Sequence, residues 1–193
     1  MTGIALDALP GTFTYRQAQA AGLSHHRLYA LRDSGKLEQV GRGLFRKADA
    51  ELADLDLLEA ARRAPDATIC LLSALARHDL TDAIPSRHDL ALPRGAWHPR
   101  TGPAISWHSF DQGTFRIGRT TTPVDDETSI GLYDAPRTII DTYRLRASLG
   151  PEVAHEALKR WLRKGGQPAI LLDMAAAFPK ASPAIRSALE ILL

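Results

Sequence analysis

The chain has 193 residues, 45% of them hydrophobic and 24% charged, which is ordinary globular composition and excludes disorder as the main state. A chain of this length buries about 70% of its unfolded surface, so no metal or disulfide framework is needed to hold it together. The formal net charge is only +2, but it is unevenly spread. Up to residue 47 there are seven basic residues against Asp7, Asp33 and Glu38, a net +4, while the remainder is net −2. A small basic module joined to a slightly acidic body is the charge pattern of a nucleic-acid reader with a second function.

Thr14 to Ala20 reads as a short helix with Thr12 or Thr14 as N-cap. Ala21-Gly22-Leu23 is a tight turn, and Ser24 caps a second helix whose inward face is Leu28 and Leu31. Asp33 to Lys36 ends that helix, with Gly35 near the C′ position. Two short strands, 37–40 and 44–46, flank Gly41-Arg42-Gly43. Helix, turn, helix and β-hairpin form the order of a winged helix, and a first domain over 1–48 is expected.

A second domain is expected over 49–193. Its first helix is predicted from Ala50 to Ala64, and another is opened by Asp66 or Thr68 and runs through Ile69, Leu72, Leu75 and Ala76. Between Asp79 and Leu132 the character changes to short β-prone runs: Leu90–Leu92, Ile105–Trp107, Thr114–Ile117 and Ile130–Leu132. Asp134 caps a helix with Pro136 in its first turn that continues to about Leu149. Further helices follow at Glu152–Lys164, Ala169–Phe178 and Pro183–Leu192, the last capped by Ser182. The expected class is α+β: a winged helix, then a mixed domain with a small sheet and a C-terminal helical bundle.

A recognition helix must fit the major groove while its other face stays packed. With Leu28 and Leu31 inward, His25, His26, Tyr29 and Arg32 are predicted to face the groove. Ser24 and Arg27 sit at the helix N-terminus, where free N–H groups, a hydroxyl and a guanidinium can meet phosphate. Protonated imidazoles donate two hydrogen bonds, so binding is expected to strengthen below neutral pH. Arg42 at the wing tip, followed by Arg46 and Lys47, suits the backbone or a narrow minor groove. Tyr15 and Arg16 start the preceding helix, which crosses the phosphates, and Lys36 adds charge beside them. A winged helix that mediates protein contacts instead is the competing reading.

Other constellations carry less. Asp125-Asp126-Glu127 is the one dense acidic cluster, and beside Pro123 it reads as a solvated turn rather than a cation site. His78, His88, His98 and His108 lack the i, i+4 pairing of a helical zinc site and have no cysteine partners. No phosphate-binding glycine loop, nucleophile elbow or carboxylate–lysine nuclease signature occurs, so neither catalysis, a metal nor a cofactor is expected. Cys70, the one cysteine, lies in an apolar run and reads as a buried, inert thiol, in keeping with a reducing compartment. No apolar run reaches the ~18 residues of a membrane span, and the first ten residues lack the pattern of a secretory signal. A cytoplasmic location is therefore expected. Among the tryptophans, Trp161 has core spacing, whereas Trp97, beside Gly95 and Pro99, is the candidate for an exposed interaction surface.

Gly11 to Thr14, Ala20 to Ser24, Leu28, Leu31, Gly35 to Leu37 and Val40 to Phe45 resemble the winged-helix start of the AbiEi family, the antitoxins of type IV toxin–antitoxin systems. Tyr133 to Asp141 resembles the Pro-Arg-Thr-x-x-Asp helix start of that family's C-terminal domain, and the helices through Leu192 match its layout. The resemblance implies a regulator that represses its own operon by binding promoter repeats in double-stranded DNA. It also implies a C-terminal domain that counters a nucleotidyltransferase-type toxin without a stable complex. Arg137 and Asp141, four residues apart, can pair on the helix surface. An inactive nuclease-like relic fused to the winged helix is a further alternative.

Overall fold

The computed structural model describes Leu6 and residues 9–48, 54–125 and 127–193. These fall into two compact units, Met1–Leu58 with Pro123–Ser129, and Glu59–Thr122 with Ile130–Leu193.

In the smaller unit the order is β1 (Thr12–Thr14), α1 (Tyr15–Ala20), α2 (His25–Asp33), β2 (Leu37–Gly41) and β3 (Leu44–Lys47). The three strands form an antiparallel sheet in the order β1-β3-β2, with Phe13 opposite Phe45. Those two rings stack with centroids 6.3 Å apart. Around them Leu9, Ala18, Leu23, Leu28 and Leu37 close the core. Strand β1 was not foreseen from the sequence. Its Thr-Phe-Thr run is β-prone, but three residues ahead of a helix cap give no alternation long enough to read.

Helix α3 (Leu55–Arg63) contains the chain boundary between the units at Leu58 and Glu59, and β4 (Thr68–Ile69) and α4 (Leu71–Arg77) follow in the larger unit. The predicted helix from Ala50 is thus described only from Leu55; residues 50–53 lie outside the described residues. Then come β5 (His88–Pro93), β6 (Ile105–Phe110), β7 (Arg119–Pro123) and β8 (Ser129–Tyr133). A five-stranded mixed sheet results, in the order β6-β5-β4-β8-β7. Five helices follow: α5 (Ala135–Arg144), α6 (Arg146–Leu149), α7 (Pro151–Arg163), α8 (Pro168–Ala175) and α9 (Ser182–Leu192). Ile139, Ile140 and Tyr143 of α5 pack with Ala157, Leu158 and Trp161 of α7, with Leu171 of α8 and with Ile185 of α9. The class is α+β, with a winged-helix front and a mixed body, as the sequence implies.

Four expectations of secondary structure are corrected. Thr68-Ile69 does not open a helix but forms the central strand, antiparallel to β5 and parallel to β8. A fully buried two-residue strand shows no period of its own and reads as part of the apolar run that follows it. Thr114–Ile117 is not a strand but a turn region, and Arg119–Pro123 supplies the edge strand instead. Ser182 lies inside α9 rather than capping it; Ala181 holds the N-cap position, with no side-chain cap bond. The helix from Asp134 breaks at Leu145 into α5 and α6 instead of running unbroken.

The turn over 112–118 is explained by Arg137. Its guanidinium donates to the carbonyls of Thr114 and Ile117, each at 2.6 Å, so that backbone is satisfied by a side chain and not by a strand ladder. Arg137 also donates to Asp141 Oδ2 at 2.9 Å, and Arg144 to Asp141 Oδ1 at 3.1 Å. The pair Arg137–Asp141 lies not on the helix surface, as its spacing alone suggests, but at 0% exposure of both side chains. The guanidinium carbon sits 4.2 Å from the Tyr133 ring centroid and 4.6 Å from that of Phe178. Burial pushes the Asp141 carboxyl upward, and the two guanidiniums pull it back. The arrangement is a structural clasp between α5 and the loop that precedes β7.

Candidate nucleic-acid interface

The helix-turn-helix is built by local hydrogen bonds that the sequence encodes residue by residue. Thr14 and Gln17 form a reciprocal capping box at the start of α1, with Thr14 N–H donating to Gln17 Oε1 at 2.8 Å and Gln17 N–H to Thr14 Oγ1 at 3.2 Å. Gly22, at φ +83°, turns the chain so that Leu23 N–H reaches the Ala18 carbonyl at 2.9 Å. Ser24 Oγ accepts from Arg27 N–H at 3.3 Å and starts α2. At its end Gly35, at φ +74°, closes a Schellman motif: Lys36 N–H bonds the Leu31 carbonyl and Gly35 N–H the Arg32 carbonyl, each at 3.0 Å. Ser24→Ala is therefore expected to lower the unit's stability by about 1 kcal/mol in urea denaturation, the usual cost of an N-cap.

Along α2 the aromatic side chains form a ladder. His25 stacks on Tyr29 at 4.4 Å between centroids and meets Tyr15 edge-on at 5.9 Å. Tyr29 stands edge-on to Phe45 at 5.8 Å, and the Arg32 guanidinium lies 4.5 Å over its ring. Tyr29 is thus half-buried against the core edge, with Arg32 folded over it. Arg32 also donates to Asp33 Oδ1 at 2.9 and 2.7 Å and to Gln39 Oε1 at 3.3 Å.

The predicted binding residues therefore divide into two sets. Arg32 is tied to Asp33, Arg46 to Glu38 at 2.5 Å, and the Lys47 ammonium donates to the Leu9 carbonyl. Those bonds place Arg46 and Lys47 at the base of the wing and Arg32 along the helix flank. Arg16, Ser24, His25, His26, Lys36 and Arg42 are exposed, and Tyr15 and Arg27 are half-buried. Arg16, Arg27, Lys36 and Arg42 have no acidic partner among the described residues. Asp33 and Glu38, the described acids up to residue 48, are thus each occupied by an arginine, leaving five cations, these four and the carbonyl-bound Lys47, without an acidic partner there. Arg42 stands at the hairpin turn, where Gly43 takes φ +72° and lends its carbonyl to Tyr15 N–H at 2.8 Å. That bond joins the wing base to the start of α1.

The other constellations behave as structural elements. Asp125 Oδ1 accepts from the N–H groups of Glu127 and Thr128 at 3.0 and 2.6 Å, which makes an Asx-type turn; Asp126 lies outside the described residues. His78 bonds the Tyr133 carbonyl at 2.7 Å, and His108 bonds Asp89 at 2.8 Å. Among the described residues no three His, Cys, Asp or Glu side chains converge, and no helix is long and apolar enough to cross a membrane. Burial raises the Cys70 thiol well above its ordinary range, which keeps it protonated.

Residues 5–46 match the model of a family described as transcriptional regulator, AbiEi antitoxin, the family that the winged-helix start resembles. The match supports a DNA-binding regulator role. Among solved structures, the chain is similar to the crystal structure of the RV2827C protein from Mycobacterium tuberculosis. The TM-score is 0.52 and the identity 17%, over 99% of this chain and 78% of that one, which is a likeness of fold alone. No curated protein matches.

Proposed function

We propose that this protein represses transcription of its own operon by binding repeats in duplex promoter DNA, with α2 in the major groove and the Arg42 wing on the flanking backbone. The observation that carries the reading is the charge on the winged-helix unit. Up to residue 48 the described acids, Asp33 and Glu38, pair with Arg32 and Arg46, so Arg16, Arg27, Lys36 and Arg42 present their charge to a ligand. The exposed His25 and His26 at the first turn of α2, beside free backbone N–H groups, are the groups placed to donate to base edges or phosphate. In this reading the larger unit is the antitoxin: it counters a nucleotidyltransferase-type toxin encoded beside it, without a lasting complex, and the chain carries out no catalysis itself.

The test is a titration against the DNA immediately upstream of the gene, with random duplex as competitor and salt varied. Affinity at least ~10³-fold tighter than for random DNA is expected. Four phosphate contacts imply a slope of log affinity against log salt of about −4. Equal, weak binding to both duplexes would leave only charge attraction and remove the regulator reading.

A further inference from the structure

Trp97 lies outside every packed layer of the larger unit, with 70% of its surface exposed. A solvated indole on a loose loop needs no explanation, but this loop between β5 and β6 is anchored along its length. At its start Arg94 N–H donates to the Phe110 carbonyl at 2.6 Å, and Gln112 Nε2 to the Arg94 carbonyl at 2.9 Å. Gly95 takes φ +91°, in a turn that Ala96 N–H closes onto the Pro93 carbonyl at 3.0 Å. His98, the next residue, is held 3.1 Å from Ser109 Oγ, with its ring beside Trp107. At the far end Arg63 donates to the Arg100 carbonyl at 3.0 Å, and Trp107 Nε1 to Thr101 Oγ1 at 3.1 Å. The indole is therefore presented to solvent by a braced scaffold.

The loop that carries it has charge of one sign, with Asp111 next to Phe110, whose carbonyl Arg94 N–H binds. Arg94 and Arg100, both exposed, stand three residues to either side of Trp97, and no acidic residue occurs from Leu90 to Phe110. Neither guanidinium has an ion-pair partner among the described residues. A flat apolar face between two cations fits a ligand that alternates planar aromatic faces with negative charge. Single-stranded nucleic acid has that chemistry, whereas a duplex hides its base faces in the stack. An acidic peptide answers the arginines but leaves the indole face unmatched.

We propose that the Trp97 loop is a stacking platform for an unpaired base of single-stranded nucleic acid, with Arg94 and Arg100 on the adjoining phosphates. The proposal is independent of the operator reading. It is tested in the full chain carrying Arg27→Glu and Arg42→Glu, so that winged-helix binding is weakened. The probe is a fluorescein-labelled oligothymidine about a dozen nucleotides long. Saturable binding is expected, and Trp97→Ala should weaken it by about 5- to 150-fold, the loss of one stacked base. Trp97→Phe should retain most of the affinity. Arg94→Ala with Arg100→Ala should lower the salt slope by about 1.4, or ~0.7 per lost phosphate contact. In the otherwise unaltered chain, Trp97→Ala should leave promoter-duplex affinity unchanged, which separates the two readings. Absence of saturable binding, or equal affinity for the Trp97→Ala chain, would overturn the proposal. Saturation by a polyglutamate peptide with none by oligothymidine would overturn it in favour of an acidic protein partner.

Discussion

Arg137→Met should destabilise the larger unit by at least about 3–5 kcal/mol, because it leaves the Asp141 carboxylate buried with only Arg144 as a charged partner. The loss has two separable parts. One is the uncompensated charge. The other is the pair of carbonyls, Thr114 and Ile117, that lose their donor inside the fold and cost about 1–3 kcal/mol each if left bare. The double variant Arg137→Met with Asp141→Leu removes the buried carboxylate, keeps the bare carbonyls and leaves the part-buried Arg144 without its partner, so it should recover part of the deficit in urea denaturation and not all of it. A pH series isolates the charge. Without Arg137, the pull that offsets burial is weakened and the folded carboxyl rises further above its unfolded value. A group with a raised folded value binds its proton more readily when folded, so the deficit is full above that value. It shrinks as pH falls from there toward the ordinary carboxyl range near 4. A deficit that is flat from pH 8 to pH 4 would assign the whole effect to packing and the lost carbonyl bonds.

Arg27→Glu with Arg42→Glu should weaken promoter binding by at least about 30-fold, and up to ~10⁴-fold, since each arginine contact with DNA is worth roughly 1–3 kcal/mol. The salt slope should fall by about 2, from the loss of two phosphate contacts. Folding should be unaffected, because neither side chain has a partner within its unit among the described residues. Arg32→Glu provides the contrast. It places a carboxylate beside Asp33 and removes the guanidinium from the Tyr29 ring, so a loss of binding there comes with a loss of stability. If the Arg27/Arg42 variant binds the promoter as tightly as the unaltered chain, those two residues are not the contacts and the wing assignment is wrong. A protein-binding winged helix would show that outcome.

The winged helix was legible because its signals are local. Ser24 caps α2, Gly22 and Gly35 take the positive φ that their turns require, and Gly41-Arg42-Gly43 marks the hairpin. Each of these depends on two to six consecutive residues, and no distant part of the chain can change them. The same holds for Asp134 and Pro136 at the head of α5, and for Ala157 and Trp161 on the buried side of α7. The uneven charge of the chain is likewise a property of the sequence.

What needed the tertiary structure is whatever depends on a partner far along the chain. Thr68-Ile69 became a strand only because β5 and β8 flank it. Thr114–Ile117, β-prone by composition, became a turn because the Arg137 guanidinium takes its carbonyls. The Arg137–Asp141 spacing specified a pair, but the rings of Tyr133 and Phe178 around it decided that the pair is buried. In the smaller unit the sequence alone determined how many cations sit near the helix-turn-helix. Only the fold sorted them, since whether an arginine meets an acid depends on side chains brought across a hairpin, as Glu38 is brought to Arg46. Local rules act through the backbone of neighbouring residues, whereas burial and charge pairing are set by what packing brings within a few ångströms.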